Sequence, residues 1–280
     1  MTFSQPVTDL IRTRVSTRTY DGRDIDPAAR QALLACLAEI NGSQMISGRF
    51  ILTGSSAGPV DQPVKLGTYG IITGARAYVV GLIDRQNPDP LTFGRLFETI
   101  VLRATDLGLQ TCWLGGTFRK SDLVRQLSLS DQEQIAAVTP VGYSKNKPRL
   151  FESAMRAAVG ANHRKPWSEL FFAGDRSTPL DEAAAGAYAI PLEMVRLGPS
   201  ASNKQPWRVI RMGQTFHFCL CRTPGYGLAS FDLQLNDLGI AQYHFEQTAL
   251  ESGLSGAWQV RQDYVAPSGW SYLASWIEQR

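Results

Sequence analysis

Four short clusters in the chain carry side chains suited to a flat, anionic ligand. In the run IRTRVSTRTYD, Arg14, Ser16 and Arg18 alternate, and an extended backbone puts alternate side chains on one side. Guanidinium forks bond phosphate bidentately, and a hydroxyl between them suits a sugar or polyol chain. A solvated, arginine-rich N-terminal segment accounts for the same letters. The second cluster, Gly198 to Trp207 (GPSASNKQPW), stiffens a turn-rich loop with Pro199 and Pro206 and crowds it with Ser200, Ser202, Asn203 and Gln205. A plain helix-to-strand connection rarely needs so many amides and hydroxyls beside an aromatic, so the loop reads as a ligand contact. Third comes Trp113-Leu114-Gly115-Gly116, where consecutive glycines expose backbone N–H groups and let a flat ligand approach the main chain. Fourth is Lys147-Pro148-Arg149, two cations astride a proline that could complete a phosphate clamp.

Other chemistries lack their residues. There is no GxxxxGK[ST] and no strand-linked GxGxxG, which removes the P-loop and the doubly wound dinucleotide fold. His163, His217 and His244 form no pair at metal-ligand spacing, and Cys219 with Cys221 reads as alternation on a strand rather than a metal site. The GxSxG and Cys/His nucleophile signatures are missing as well.

The elements that must position these clusters follow from pattern. A helix is expected from Asp26 and Pro27, with Leu33, Leu34, Leu37 and Ile40 on one face, to Asn41-Gly42. Arg49–Gly54 and Ala77–Ile83 read as strands, a long helix runs from Pro88–Pro90 to Gly108, and Thr111–Phe118 follows it. A charged helix around Ser121–Leu127 precedes a strand at Ile135–Gly142. Beyond Phe151 the order restarts: a basic opening (HRKPWSELFF), a helix over Thr178–Leu197, strands at Trp207–Met212 and Thr215–Leu220, and a long helix over Asp232–Gly253. The aromatic-rich tail (Trp258, Tyr264, Trp270, Tyr272, Trp276) is expected to pack between the halves.

One constant shift sets Gly94 on Gly239, Ala104 on Ala249, Gly108 on Gly253 and Trp113 on Trp258. A slightly longer one sets Arg12 on Arg164, Ser16 on Ser168 and Tyr20 on Phe172, and the difference is of a size that loops absorb. The chain therefore reads as one α+β unit written twice, residues 1–155 and 156–280. Its 280 residues are enough for two such units. A hydrophobic content of 44% with 19% charged residues is ordinary globular composition. No apolar run reaches the roughly 18 to 20 residues of a membrane span, and MTFSQPVTDLIRTR lacks a signal-peptide pattern, so a soluble, cytoplasmic protein with free cysteines is expected. A net charge of +3 is only mildly basic: it excludes neither nucleic acid nor acidic ligands and argues strongly for neither, and no nucleic-acid partner is expected.

Taken together and in order, the clusters resemble the nitroreductase family of flavin enzymes. The matching segments are R-x-S-x-[RK] at Arg14–Arg18, GL-x-x-x-W-x-x-G at Gly108–Gly116, GY followed by basic residues at Gly142-Tyr143 with Lys147 and Arg149, and PSxxNxQPW at Pro199–Trp207. Single-unit members are homodimers that hold each flavin mononucleotide (FMN) between subunits. Here the R-x-S-x-R and WLGG segments lie in the first half and the PSASN loop in the second. The corresponding first-half loop reads NGSQMISGRF and the second-half opening carries Leu170 in place of its second basic residue. The resemblance is thus to the fused branch of the family. It implies a nitroreductase-like α+β fold whose tandem duplication gives an intramolecular pseudo-dimer, with two mainly antiparallel sheets flanked by helices and one complete site per chain.

The same resemblance implies roles. Arg14, Lys147 and Arg149 would hold the FMN phosphate, Ser16 the ribityl chain, and Arg18 the N1/O2 side of the ring. Backbone N–H groups of the Leu114-Gly115-Gly116 segment would face N5 and O4, while Pro199, Ser200 and Asn203 would close over the ring. Thr68 falls at a further polar position. No side chain is required as nucleophile or base. NADH or NADPH would donate hydride at flavin N5, and a small-molecule acceptor, nitroaromatic or quinone, would receive it in ping-pong fashion. A flavin-binding or storage protein without turnover, and a nucleotide-binding module using the arginines alone, remain alternatives.

Overall fold

The computed structural model describes residues 2–54, 68, 70–116, 118, 124, 127–145, 163–227 and 230–279. In the first half, α1 (Val7–Thr13) and α2 (Pro27–Gly42) precede β1 (Gly48–Thr53) and β2 (Ala77–Asp84), then α3 (Pro90–Asp106), β3 (Gln110–Thr111) and β4 (Glu133–Gly142). The strands form an antiparallel sheet ordered β1-β2-β4-β3. The second half runs α4 (Trp167–Leu170), β5 (Phe171–Ala173), α5 (Glu182–Ala185), α6 (Ala189–Leu197), β6 (Trp207–Met212), β7 (Thr215–Leu220), α7 (Leu233–Glu251), β8 (Ser255–Gln259) and β9 (Ser271–Gln279). Its sheet is ordered β5-β6-β7-β9-β8, with β5 and β6 parallel and the other pairs antiparallel. The order β1-β2-β4-β3, with a long helix between its second and third strands in sequence, is repeated by β6-β7-β9-β8. The fold is therefore the α+β, two-sheet, internally duplicated arrangement expected. The expected division after residue 155, and most of the Ser121–Leu127 helix, lie outside the described residues.

Local chemistry explains most boundaries. Asp89 caps α3 by accepting the Thr92 N–H, and Asp232 caps α7 by accepting from Gln234 and Leu235. Asp26 does not cap α2 as expected; its carboxylate instead accepts the Tyr143 hydroxyl at 2.6 Å. The single helix expected over Thr178–Leu197 is broken into α5, a one-turn 3-10 segment at Gly186–Tyr188, and α6. Gly186 takes φ of 59°, a left-handed conformation that an α-helix cannot contain.

Two cores flank the seam between the halves. Val79, Phe93, Phe97, Ile100 and Val101 pack under the first sheet, and Trp207, Phe216, Phe218, Phe245 and Trp276 under the second. The tail departs from expectation: Trp258 and Trp276 pack inside the second half against Phe218 and Phe245, not between halves. Aromatic positions on strands show burial, but not which neighbour buries them.

The seam itself is the crossing of α3 and α7. A Cβ added at Gly94 would lie 2.2 Å from the Asn236 carbonyl oxygen, and one added at Gly239 would lie 2.0 Å from that of Leu91. Leu91 corresponds to Asn236 under the shift that pairs the glycines, so the contact is reciprocal, as across a two-fold axis. Polar bonds repeat the pattern. The Trp113 indole donates to Glu98, which meets His244 of α7; the Trp258 indole donates to Glu246, which meets Arg95 of α3. Among the described residues no helix is long and apolar enough to cross a membrane.

Candidate functional site

Helix α1 docks Leu10 and Ile11 against Leu102, Met194 and Tyr243, so it touches both halves before the chain leaves it at Arg14. From there the backbone is held extended. Ser16 bridges Thr111 of β3, the Thr17 N–H donates to the Thr111 carbonyl at 2.9 Å, and the Tyr20 N–H donates to that of Thr73 at 2.9 Å. Alternation follows: Thr17 turns inward, its hydroxyl 3.3 Å from the Gln110 amide oxygen, while Arg14, Ser16 and Arg18 border a cavity of about 450 Å³.

The WLGG segment forms another wall. Leu114 exchanges two backbone hydrogen bonds of 2.9 Å with Val138 of β4, which fixes the main chain of the glycines that follow. Gly115 packs close to α7: a Cβ there would lie 2.8 Å from Cδ2 of Leu233, in the first turn of that helix, so the leucine side chain would have to move. Behind this wall, the Trp113 indole donates to Glu98 Oε2 at 2.8 Å, Glu98 Oε1 lies 2.9 Å from His244 Nε2, and His244 Nδ1 lies 3.0 Å from the Met194 carbonyl. Glu98 and His244 are fully buried, so each supplies the partner the other needs. Glu98 escaped sequence reasoning, although a carboxylate between Phe97 and Ile100 on the apolar face of a helix is a visible signal.

The loop from Gly198 to Gln205 closes the cavity from the second half. Ser202, Asn203 and Gln205 have φ of 48°, 55° and 48°, a region that L-residues avoid unless their surroundings over-determine it. Here they do. The Ser200 hydroxyl accepts the Gln205 N–H at 2.9 Å, and the Gln205 amide accepts the Lys165 N–H at 2.8 Å. The Asn203 amide donates to the His163 carbonyl at 2.8 Å, and the Tyr226 hydroxyl donates to that of Ser202 at 2.8 Å. Much of the polar crowding read as ligand-binding therefore braces the loop itself.

Two more lining residues were missed. Arg164, in the second half's basic opening, donates to Asn203 Oδ1 at 2.5 Å and to the Leu197 carbonyl at 2.9 Å. Its pKa is lowered to about 10 by burial and by the charges of Arg14 and Arg196. Asp237 of α7 accepts the Ala201 N–H at 3.0 and 3.2 Å. Burial pushes its carboxyl well above the usual carboxylate range, against the opposing pull of that N–H. Contacts between residues far apart in sequence make both what they are.

Arg14, Ser16, Arg18, Leu114, Gly115, Gly116, Pro199, Ser200 and Asn203 all border the one cavity. Lys147 and Arg149 lie outside the described residues. Thr68 turns its hydroxyl to the Ile72 backbone, closing a turn, instead of facing the cavity. Phe231, Leu233 and Ile71 add apolar walls, and Asn236 a polar one. A cavity of this size, with apolar walls, cationic side chains and open glycine backbone, can take a flat heteroaromatic ligand with an anionic arm. Among the described residues no group of three or more His, Cys, Asp or Glu could hold a metal ion.

The family model described as "Putative TM nitroreductase" matches residues 6–249. A solved structure described as a "putative nitroreductase" from Thermotoga maritima is 17% identical, covers 99% of this chain and 95% of its own, and superposes with a TM-score of 0.57. A nitroreductase family protein from Clostridium difficile is 20% identical over 60% of this chain and 96% of its own, with a TM-score of 0.43. An FMN-dependent nitroreductase from Clostridium difficile is 16% identical over 52% of this chain and 92% of its own, with a TM-score of 0.40. No curated protein matches. With the model matched over most of its length, the chain belongs to this nitroreductase family of oxidoreductases.

Proposed function

We propose that the protein is an FMN-dependent oxidoreductase that takes electrons from NADH or NADPH and delivers them to a nitroaromatic, quinone or similar small acceptor. The observation that carries this reading is the convergence of Arg14, Ser16, Arg18 and the Leu114–Gly116 segment from one half with Pro199, Ser200 and Asn203 from the other on one cavity. Its volume of about 450 Å³ lies within the roughly 300 to 1,000 Å³ of small-molecule sites. Arg14, with Lys147 and Arg149, would hold the phosphate, and Ser16 the ribityl chain. Arg18 would sit at the N1/O2 edge of the ring, where a fixed positive charge favours electron uptake. Gly115 and Gly116 would offer backbone N–H groups to N5 and O4, and Pro199, Ser200 and Asn203 would close over the ring.

When bound, the flavin supplies hydride transfer at N5. The protein supplies orientation and charge, and no side chain acts as nucleophile. Donor and acceptor use the same open face in turn, which gives ping-pong kinetics. Halves 1–155 and 156–280 act as an intramolecular pseudo-dimer, monomeric in solution, with one site because only the first half carries R-x-S-x-R and only the second PSASN.

The visible spectrum of the purified protein tests this. A yellow protein with one flavin per chain, bleached anaerobically by NADH or NADPH and recoloured by a quinone, is expected. Bound flavin that neither nicotinamide bleaches would leave a flavin-binding protein without turnover. A colourless chain that takes up no added FMN overturns the reading, and two flavins per chain would overturn the single site.

A further inference from the structure

Arg164 lies in the second half, yet it borders the same cavity as Arg14 of the first. Its fork is fixed on two edges by neutral acceptors, the Asn203 amide oxygen at 2.5 Å and the Leu197 carbonyl at 2.9 Å. Neither bond neutralises the guanidinium. Its acidic neighbour, Glu193, is already engaged: both carboxylate oxygens accept from Arg196 at 2.6 Å, and one also accepts the Trp167 indole at 3.0 Å. Guanidiniums from both halves, Arg14 and Arg18 from the first and Arg164 from the second, thus face one concavity, and the pKa of Arg164 is lowered by its burial and by the charge of Arg14. An anion bound between Arg14 and Arg164 offsets that repulsion.

The second half has no equivalent use for this cation. Leu170, which stands where Arg18 stands in the first half, is fully buried in the second core, so the basic segment around Arg164 cannot rebuild its own R-x-S-x-R site. We propose that Arg164 is a phosphate ligand of the first-half site, contributed by the second half and holding a phosphate monoester together with Arg14. The fork geometry of guanidinium suits two of the three terminal oxygens of such a group. This rests on the FMN reading above, and it adds a residue that the R-x-S-x-R and PSASN segments do not contain.

The test compares FMN with riboflavin, which differs only in lacking the phosphate, by titrating each into flavin-free protein and following fluorescence quenching. Arg164→Met should weaken FMN binding about ten- to a hundredfold and change riboflavin binding little, so that the preference of the wild type for FMN collapses. Arg164→Lys, which keeps the charge without the fork, should retain part of that preference. Equal losses for both flavins would mean that Arg164 only braces the loop at Asn203, and unchanged FMN affinity would mean that it touches no phosphate; either overturns the proposal. Wild-type protein that binds neither flavin overturns the functional reading itself, and this one with it.

Discussion

Asp237 sits at the wall of the cavity with 2% of its surface exposed and with the Ala201 N–H as a donor to both carboxylate oxygens. Burial disfavours its charged form, so the folded protein keeps the proton at pH values where the unfolded chain has released it. The sign follows from proton counting. With more protons bound in the native state, stability falls as pH rises from the ordinary carboxylate range toward the raised value, with a slope of at most about 1.4 kcal/mol per pH unit for one proton. Asp237→Asn keeps an oxygen for the Ala201 N–H and cannot ionise. Urea midpoints measured from pH 4 upward should therefore decline less steeply in the variant, and parallel curves would show that Asp237 ionises normally. Side chains of this kind escape the sequence. Arg14, Ser16 and Arg18 were legible because a period of two on an extended segment fixes their common side, whereas Asp237 and Arg164 acquire their roles from a loop more than thirty residues away in sequence.

The loop from Gly198 to Gln205 holds three non-glycine residues in the left-handed region, each costing of the order of 1 kcal/mol or more. Side-chain bonds must offset that cost, and Gln205 contributes most directly. It is buried, its oxygen accepts the Lys165 N–H at 2.8 Å, and its amide nitrogen donates to the Asn203 carbonyl at 3.2 Å. Gln205→Ala leaves the Lys165 N–H without its acceptor and should cost about 2 to 3 kcal/mol, read as a lower unfolding midpoint with faster amide exchange across 198–205. Unchanged exchange there would show that the loop holds its shape without Gln205. The regular elements around it were largely visible in the pattern: β6, β7 and α7 begin and end within a residue or two of expectation because hydrophobic period and caps agree. The break at Gly186 and the strain of the loop were not, since both come from backbone conformations that letters permit but do not require.

Across the whole molecule, the question is whether the two halves are merely tethered or share a backbone-to-backbone seam. The duplication was legible from Gly94 and Gly239 falling at equivalent places, but the reason for glycine there was not, because it lies in the opposite helix. Isolated helices would gain about 1 kcal/mol from Gly→Ala at either position. In the folded chain the new methyl would meet a carbonyl oxygen at 2.2 Å from Gly94 or 2.0 Å from Gly239, well inside van der Waals contact and against backbone that cannot rotate away. Over-packing of that kind costs about 3 kcal/mol, which exceeds the propensity gain and reverses the sign. Gly94→Ala and Gly239→Ala should each destabilise by about 2 kcal/mol net, measured by urea unfolding, and by similar amounts because the contact is reciprocal. Stabilisation by either substitution would mean that α3 and α7 stand apart, and that the cavity α7 lines is not held by a shared core.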